Sequence, residues 1–246
     1  MKKILLIISL IIVILIMSGF IWYQSAFAPT ASTVPVSTVA SPAEIRVLAE
    51  NLSVPWDIAQ LPDRSLLVTE RTGDLLHIAP DGSIRRLTVP AISPAGEGGL
   101  MGIALHPDFV TNQYIYLYRT TVEANVRTNE VVRYTYHDDH SLSDQTIILS
   151  AIPSALYHDG GALAFGPDGF LYITTGDALT PDLAQDTRNI VGKVLRLTDT
   201  GEPAPDNPFG DMVYSYGHRN AQGLAWDSAG RLWSTEHGRS GGSQWV

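Results

Sequence analysis

The side chains able to do chemistry in this 246-residue chain stand just ahead of short apolar runs. They are Glu97, His158 with Asp159, and the adjacent pair Arg219 and Asn220, followed at greater distance by Asp177 and by Glu236 with His237. An imidazole such as His158 accepts a proton near neutral pH and is uncharged beforehand, which suits a general base. A histidine beside Gly160 and Gly161 can equally satisfy a turn backbone. Arg219 and Asn220 read as ligand contacts or strand caps, Glu97 as a ligand contact or a solvated loop acid. Glu97, His158 and His237 could also surround a divalent cation, as in a lactonase-type hydrolase. The absence of cysteine excludes cysteine nucleophiles and thiolate metal sites.

These residues need elements that gather them. Between His158 and Asp177, Ala162 to Phe165 is apolar, Gly166-Pro167-Asp168-Gly169 is a turn, and Phe170 to Thr175 is aromatic and β-branched. That is a β-hairpin, whose open ends are neighbours in space. The same pattern begins at Trp56, Met101, Gly161 and Gln222. Leu75 to Ile78, Val131 to Tyr136, Thr146 to Leu149 and Val194 to Leu197 read as further strands. Repeating units of about four strands predict an all-β chain, a β-propeller with about four blades present. A β-sandwich is the competing fold. With the first strands aligned on Ile58, Ile103, Leu163 and Leu224, the residues upstream of the last three are Glu97, His158 and Arg219-Asn220. Rotation about a propeller axis places them at one end of the channel, and Asp177 and Glu236-His237 return to that face.

Composition supports this class and removes others. There are 21 glycines and 15 prolines spaced as turns, and no amphipathic helix is evident. The formal charge is −9, or −11 once Lys2 and Lys3 are set aside, which argues against nucleic acid and anionic lipid surfaces as partners. Those lysines precede an apolar run from Ile4 to Met17, and Ala26-Phe27-Ala28 offers a cleavage site, so residues 1–28 read as a signal peptide or an N-terminal membrane anchor. Residues 29–43 read as a flexible linker and 44–246 as the folded domain. The expected location is extracytoplasmic, with membrane contact only through the N-terminal segment.

The segments AGEGGLMGIALHPDF, HDGGALAFGPDGFLYITTGD, GKVLRL, DNPFG, YSYGHRNAQGLAWD and TEHGRSGG are similar, in order, to signatures of the pyrroloquinoline-quinone (PQQ)-dependent soluble aldose dehydrogenases of glucose/sorbosone type. The resemblance implies a six-bladed propeller that oxidises aldoses at the anomeric carbon to the lactone, with PQQ and Ca2+ as cofactors and an external electron acceptor. It implies that His158 is the general base, that Glu97, Arg219 and Asn220 contact the quinone cofactor, and that the backbone carbonyls of Gly238 and Arg239 hold calcium.

The sequence also departs from that pattern. Tyr157 stands where some members carry Asp, and Arg239 where the family usually shows Pro. Ser243-Gln244 follow the glycines where an Asp-Glu pair is expected, which weighs against the metal site. Only about ten residues follow Thr235, too few for the remaining strands of that blade, so the chain reads as a C-terminally truncated member with a partial propeller. An exported binding module with a degenerate site is the alternative to an enzyme.

Overall fold

The structure, a computed structural model, describes residues 46–238. The N-terminal apolar segment, the linker and Arg239 lie outside the described residues. Among the described residues no helix is long and apolar enough to cross a membrane.

The repeats are hairpins, and they build antiparallel sheets in chain order. The first sheet is β1 (Pro55–Gln60), β2 (Leu66–Glu70), β3 (Asp74–Ile78) and β4 (Ile84–Thr88). The second is β5 (Leu100–Leu105), β6 (Tyr114–Glu123), β7 (Val126–Tyr136) and β8 (Leu142–Pro153), with the one-turn helix α1 (Phe109–Asn112) between β5 and β6. The third is β9 (Gly160–Phe165), β10 (Leu171–Thr175), β11 (Lys193–Leu197) and β12 (Val213–Tyr216), with α2 (Pro181–Ala184) between β10 and β11. A fourth hairpin, β13 (Ala221–Trp226) with β14 (Leu232–Glu236), follows. The strands read from the sequence fall within β3, β7, β8 and β11. The polar edge strand β4 (IRRLT) and the short β12 gave no comparable apolar signal.

The first strands β1, β5, β9 and β13 pack against one another in that order. Each sheet therefore presents its faces to its neighbours, which is the stacking of propeller blades. The period-2 alternation of a strand supplies both faces. In β6, Leu117 enters a core shared with Leu67, Leu75 and Leu100 of the first and second blades. Its neighbours Tyr116 and Tyr118 enter a second core with Leu163, Ile173 and Leu195 of the third.

One register position ties each blade to the next. Ile58, Ile103, Leu163 and Leu224 pair with Val68, Leu117, Ile173 and Ser234, and the residues that follow are Thr69, Tyr118, Thr174 and Thr235. The Thr69 hydroxyl accepts the Asp57 N–H (3.1 Å) and donates to the Met101 carbonyl of the next blade (2.6 Å). Thr174 accepts from Ala162 (2.9 Å) and donates to Ala221 (2.8 Å), and the Tyr118 hydroxyl donates to the Asp159 carbonyl (2.9 Å). These bonds satisfy main-chain groups that blade stacking removes from water.

Candidate active site

The hairpin ends deliver the expected residues to one place. Glu97, from the loop before β5, His158, before β9, and Arg219 and Asn220, before β13, line a cavity of about 420 Å³ together with Tyr157, Leu179, His237 and Gly238. A second cavity of about 520 Å³ adjoins it and shares His158, Leu179 and Arg219.

His158 has φ +67°, a left-handed backbone that costs a residue with a β-carbon roughly 1–2 kcal/mol, so neighbouring contacts must hold it. Its Nδ1 lies 2.7 Å from Asp177 Oδ1, at the far end of the same hairpin. That carboxylate oxygen also accepts the Leu179 N–H (2.9 Å). An acceptor at Nδ1 places the ring proton there and leaves Nε2 with its lone pair available. No group among the described residues hydrogen-bonds Nε2. Gly176 permits the close approach of the two hairpin ends, since a β-carbon there would lie 1.7 Å from the His158 carbonyl oxygen. Asp177 thus orients the His158 ring, and the signal was its place at the hairpin mouth opposite His158.

Asn220 is turned inward. It is 1 % exposed, its Oδ1 accepts from Gly160 N–H (3.0 Å) and Gln222 Nε2 (2.8 Å), and its Nδ2 donates to Glu97 Oε2 (3.0 Å). Three of its four hydrogen-bonding positions are occupied by protein, so one amide hydrogen is what it has left for a ligand. Arg219 is set by its main chain, because Glu236 Oε1 accepts the N–H groups of both Arg219 and Asn220 (3.1 Å to Asn220). Burial raises the Glu236 carboxyl, but the Arg219 N–H, the His218 ring and the Asn220 N–H outweigh it and hold the group below its ordinary value. His218 is a strut, with Ser215 Oγ 2.8 Å from Nε2 and Glu236 3.1 Å from Nδ1.

Sequence reasoning passed over Lys193. Its side chain is fully buried, and the ammonium donates to the carbonyls of Leu183 (3.0 Å), Ala184 (2.9 Å) and Val191. The cation satisfies the last carbonyls of α2 and ties them to the carbonyl of Val191 just before β11. Its signal was a lysine inside the apolar run GKVLRL. Trp226 meets Tyr172 edge to face at 4.9 Å, whereas Trp233 is 59 % exposed and donates from its indole to Asp227 (2.9 Å).

The calcium expectation rests on the backbone carbonyls of Gly238 and Arg239. Gly238 lines the cavity, but Arg239 lies outside the described residues, and the neighbouring His237 carbonyl accepts from the Arg219 guanidinium (3.2 Å). No cluster of three His, Cys, Asp or Glu side chains suited to a metal exists among the described residues, so Glu97, His158 and His237 share a cavity without forming such a centre. An anionic quinone fits the cavity, because Arg219 sets a cation on the wall that His158 also lines.

Comparison with known proteins identifies the family and agrees with the fold. The chain is 37% identical over 223 residues to the aldose sugar dehydrogenase YliI of Escherichia coli (strain K12), an alignment covering 83% of this chain and 60% of that one. It is 35% identical over 228 residues to quinoprotein glucose dehydrogenase B of Acinetobacter calcoaceticus, covering 78% of this chain and 48% of that one. Its fold superposes on the PQQ-bound aldose sugar dehydrogenase of Streptomyces coelicolor with a TM-score of 0.75 and 42% identity, over 81% of this chain and 63% of that one. The chain therefore spans 48% to 63% of the length of these relatives. The glucose/sorbosone dehydrogenase profile matches residues 52–244, and the chain belongs to that family.

Proposed function

We propose that this chain contributes the base and a cationic wall to PQQ-dependent oxidation of an aldose at its anomeric carbon, giving the lactone. The observation that carries the reading is the His158–Asp177 pair, 2.7 Å apart, on the wall of a cavity that Arg219 also lines.

His158 Nε2 takes the proton of the anomeric hydroxyl as the C1–H bond releases a hydride. Bound PQQ supplies the two-electron acceptor for that hydride, so aldose and oxidised quinone yield lactone and reduced quinone. Asp177 stabilises the imidazolium formed at His158. The Arg219 guanidinium stabilises negative charge on the cavity side facing it, with the one remaining Asn220 amide hydrogen as a neutral donor. An external acceptor would reoxidise the cofactor, and an extracytoplasmic location follows from the N-terminal segment as read from sequence.

The test is His158→Ala in the full chain, assayed by dye-linked aldose oxidation and by cofactor uptake. Loss of oxidation with uptake nearly intact is expected, because the base acts on substrate. Oxidation equal to that of the parent would remove His158 from the chemistry. Failure of the parent chain to take up cofactor would favour a binding module with a degenerate site.

A further inference from the structure

Glu97 is expected, from the resemblance, to contact the cofactor. Its hydrogen bonds point elsewhere. Oε2 accepts the main-chain N–H of His158 at 2.8 Å and the side-chain amide of Asn220 at 3.0 Å. The Glu97 N–H in turn donates to the Leu156 carbonyl at 2.9 Å. The residue thus clasps the 156–158 segment in both directions, once through its side chain and once through its backbone. The approach is close enough that a β-carbon at Gly96, where φ is +61°, would lie 2.0 Å from the Leu156 oxygen. The segment so held carries the left-handed backbone of His158, and a backbone strained in this way persists only where its surroundings over-determine it.

We infer that Glu97 is a positioning residue for His158, acting from the neighbouring blade. Asp177 fixes the ring at Nδ1 and Glu97 fixes the main chain that carries it, so the direction of Nε2 is set from both ends. A carboxylate suits the task because one oxygen accepts two N–H groups at once, from the third blade and from the loop entering the fourth. The inference rests on the proposed role of His158 as base.

The test compares Glu97→Gln, which keeps an oxygen acceptor at the same reach, with Glu97→Asp, which keeps the charge and shortens the reach by one methylene. Expected for Glu97→Asp is a fall in kcat of roughly 100-fold, the scale of a misplaced catalytic group, with cofactor uptake and KM within about threefold of the parent. Glu97→Gln restores kcat to within about tenfold of the parent, since acceptor and reach are retained. A second readout needs no cofactor. The hydrogen-bonded Nδ1 proton of His158, identified by its absence in His158→Ala, is retained in the downfield proton NMR spectrum of Glu97→Gln and lost in Glu97→Asp. Weakened cofactor uptake in Glu97→Asp with that proton signal intact would overturn the inference and restore a cofactor contact. If the parent chain shows no aldose oxidation, the dehydrogenase reading fails, and the proton signal still decides whether Glu97 positions the ring.

Discussion

Thr174→Val isolates the bond that ties the third blade to the fourth. Thr174 is fully buried, its hydroxyl accepts the Ala162 N–H at 2.9 Å and donates to the Ala221 carbonyl at 2.8 Å, and Ala221 is itself fully buried. Valine matches the shape and the β-propensity but leaves both main-chain groups unpaired. Each buried orphan costs about 1–3 kcal/mol, and the added methyl returns about 0.8 kcal/mol of apolar burial, so the expected net loss is about 3 kcal/mol. In a fold of this size that lowers the thermal midpoint by roughly 6–12 °C. Thr235 occupies the same register in the fourth hairpin, is exposed, and has no side-chain hydrogen bond among the described residues. Thr235→Val is therefore expected to stay within about 0.5 kcal/mol of the parent. Scanning calorimetry or urea unfolding of both variants checks the pair. Equal midpoints would refute the idea that this register position carries blade-to-blade stability.

Two further predictions concern titrating groups. Leu179 N–H can only donate, so Asp177→Asn must keep an oxygen facing both Leu179 and His158 Nδ1, which retains the ring tautomer and removes only the charge. A charged hydrogen bond exceeds a neutral one by about 1–2 kcal/mol, so kcat for aldose oxidation should fall about 5- to 30-fold in Asp177→Asn and at least about 100-fold in Asp177→Ala; equal losses would show that charge was not the separable contribution. His77 on β3 is 8 % exposed and lies against His140 of the β7–β8 turn, with ring centroids 4.0 Å apart and planes tilted by 33°. Burial, then the His140 charge and Arg85, push its pKa below the ordinary histidine value, with Asp63 opposing. Because the unfolded chain then binds the proton first, the His77 contribution is fully present above about pH 7 and is lost as pH falls through the depressed folded value, by at most about 1.4 kcal/mol per pH unit. Urea midpoints between pH 7.5 and 5 should fall more steeply for the parent than for His77→Leu, and parallel curves would exclude the group.

The hairpins were legible because each repeats a turn of Pro, Asp and Gly between two strands of β-rich sequence, and their alignment alone brought Glu97, His158 and Arg219 to one cavity. What the sequence concealed was direction. Asn220 and Glu97 occupy cavity-wall positions, yet the main-chain groups of His158 and Gly160 hold much of their hydrogen-bonding capacity, and no spacing in the chain reveals how a side chain divides its donors and acceptors between ligand and protein. Lys193 was hidden for a related reason. An ammonium inside an apolar run looks like an interruption until the carbonyls of Leu183, Ala184 and Val191 are seen converging on it. Edge strands such as β4 have one partner and much exposed surface, so their composition approaches that of a loop.

Blade stacking and site geometry share a cause. Tyr118 donates to the carbonyl of Asp159, the residue after His158, and Thr174 donates to the carbonyl of Ala221, the residue after Asn220. The bonds that dock successive blades therefore end beside the residues that line the cavity. Glu97 crosses the same joints from above, bonding His158 in the third blade and Asn220 at the entry to the fourth. A slip between blades would move His158 and Arg219 apart, whereas a substitution within one blade's outer strands would leave their spacing unchanged. It follows that inter-blade variants such as Thr174→Val should impair aldose oxidation at temperatures well below their unfolding midpoint. Outer-strand variants of matched stability should not.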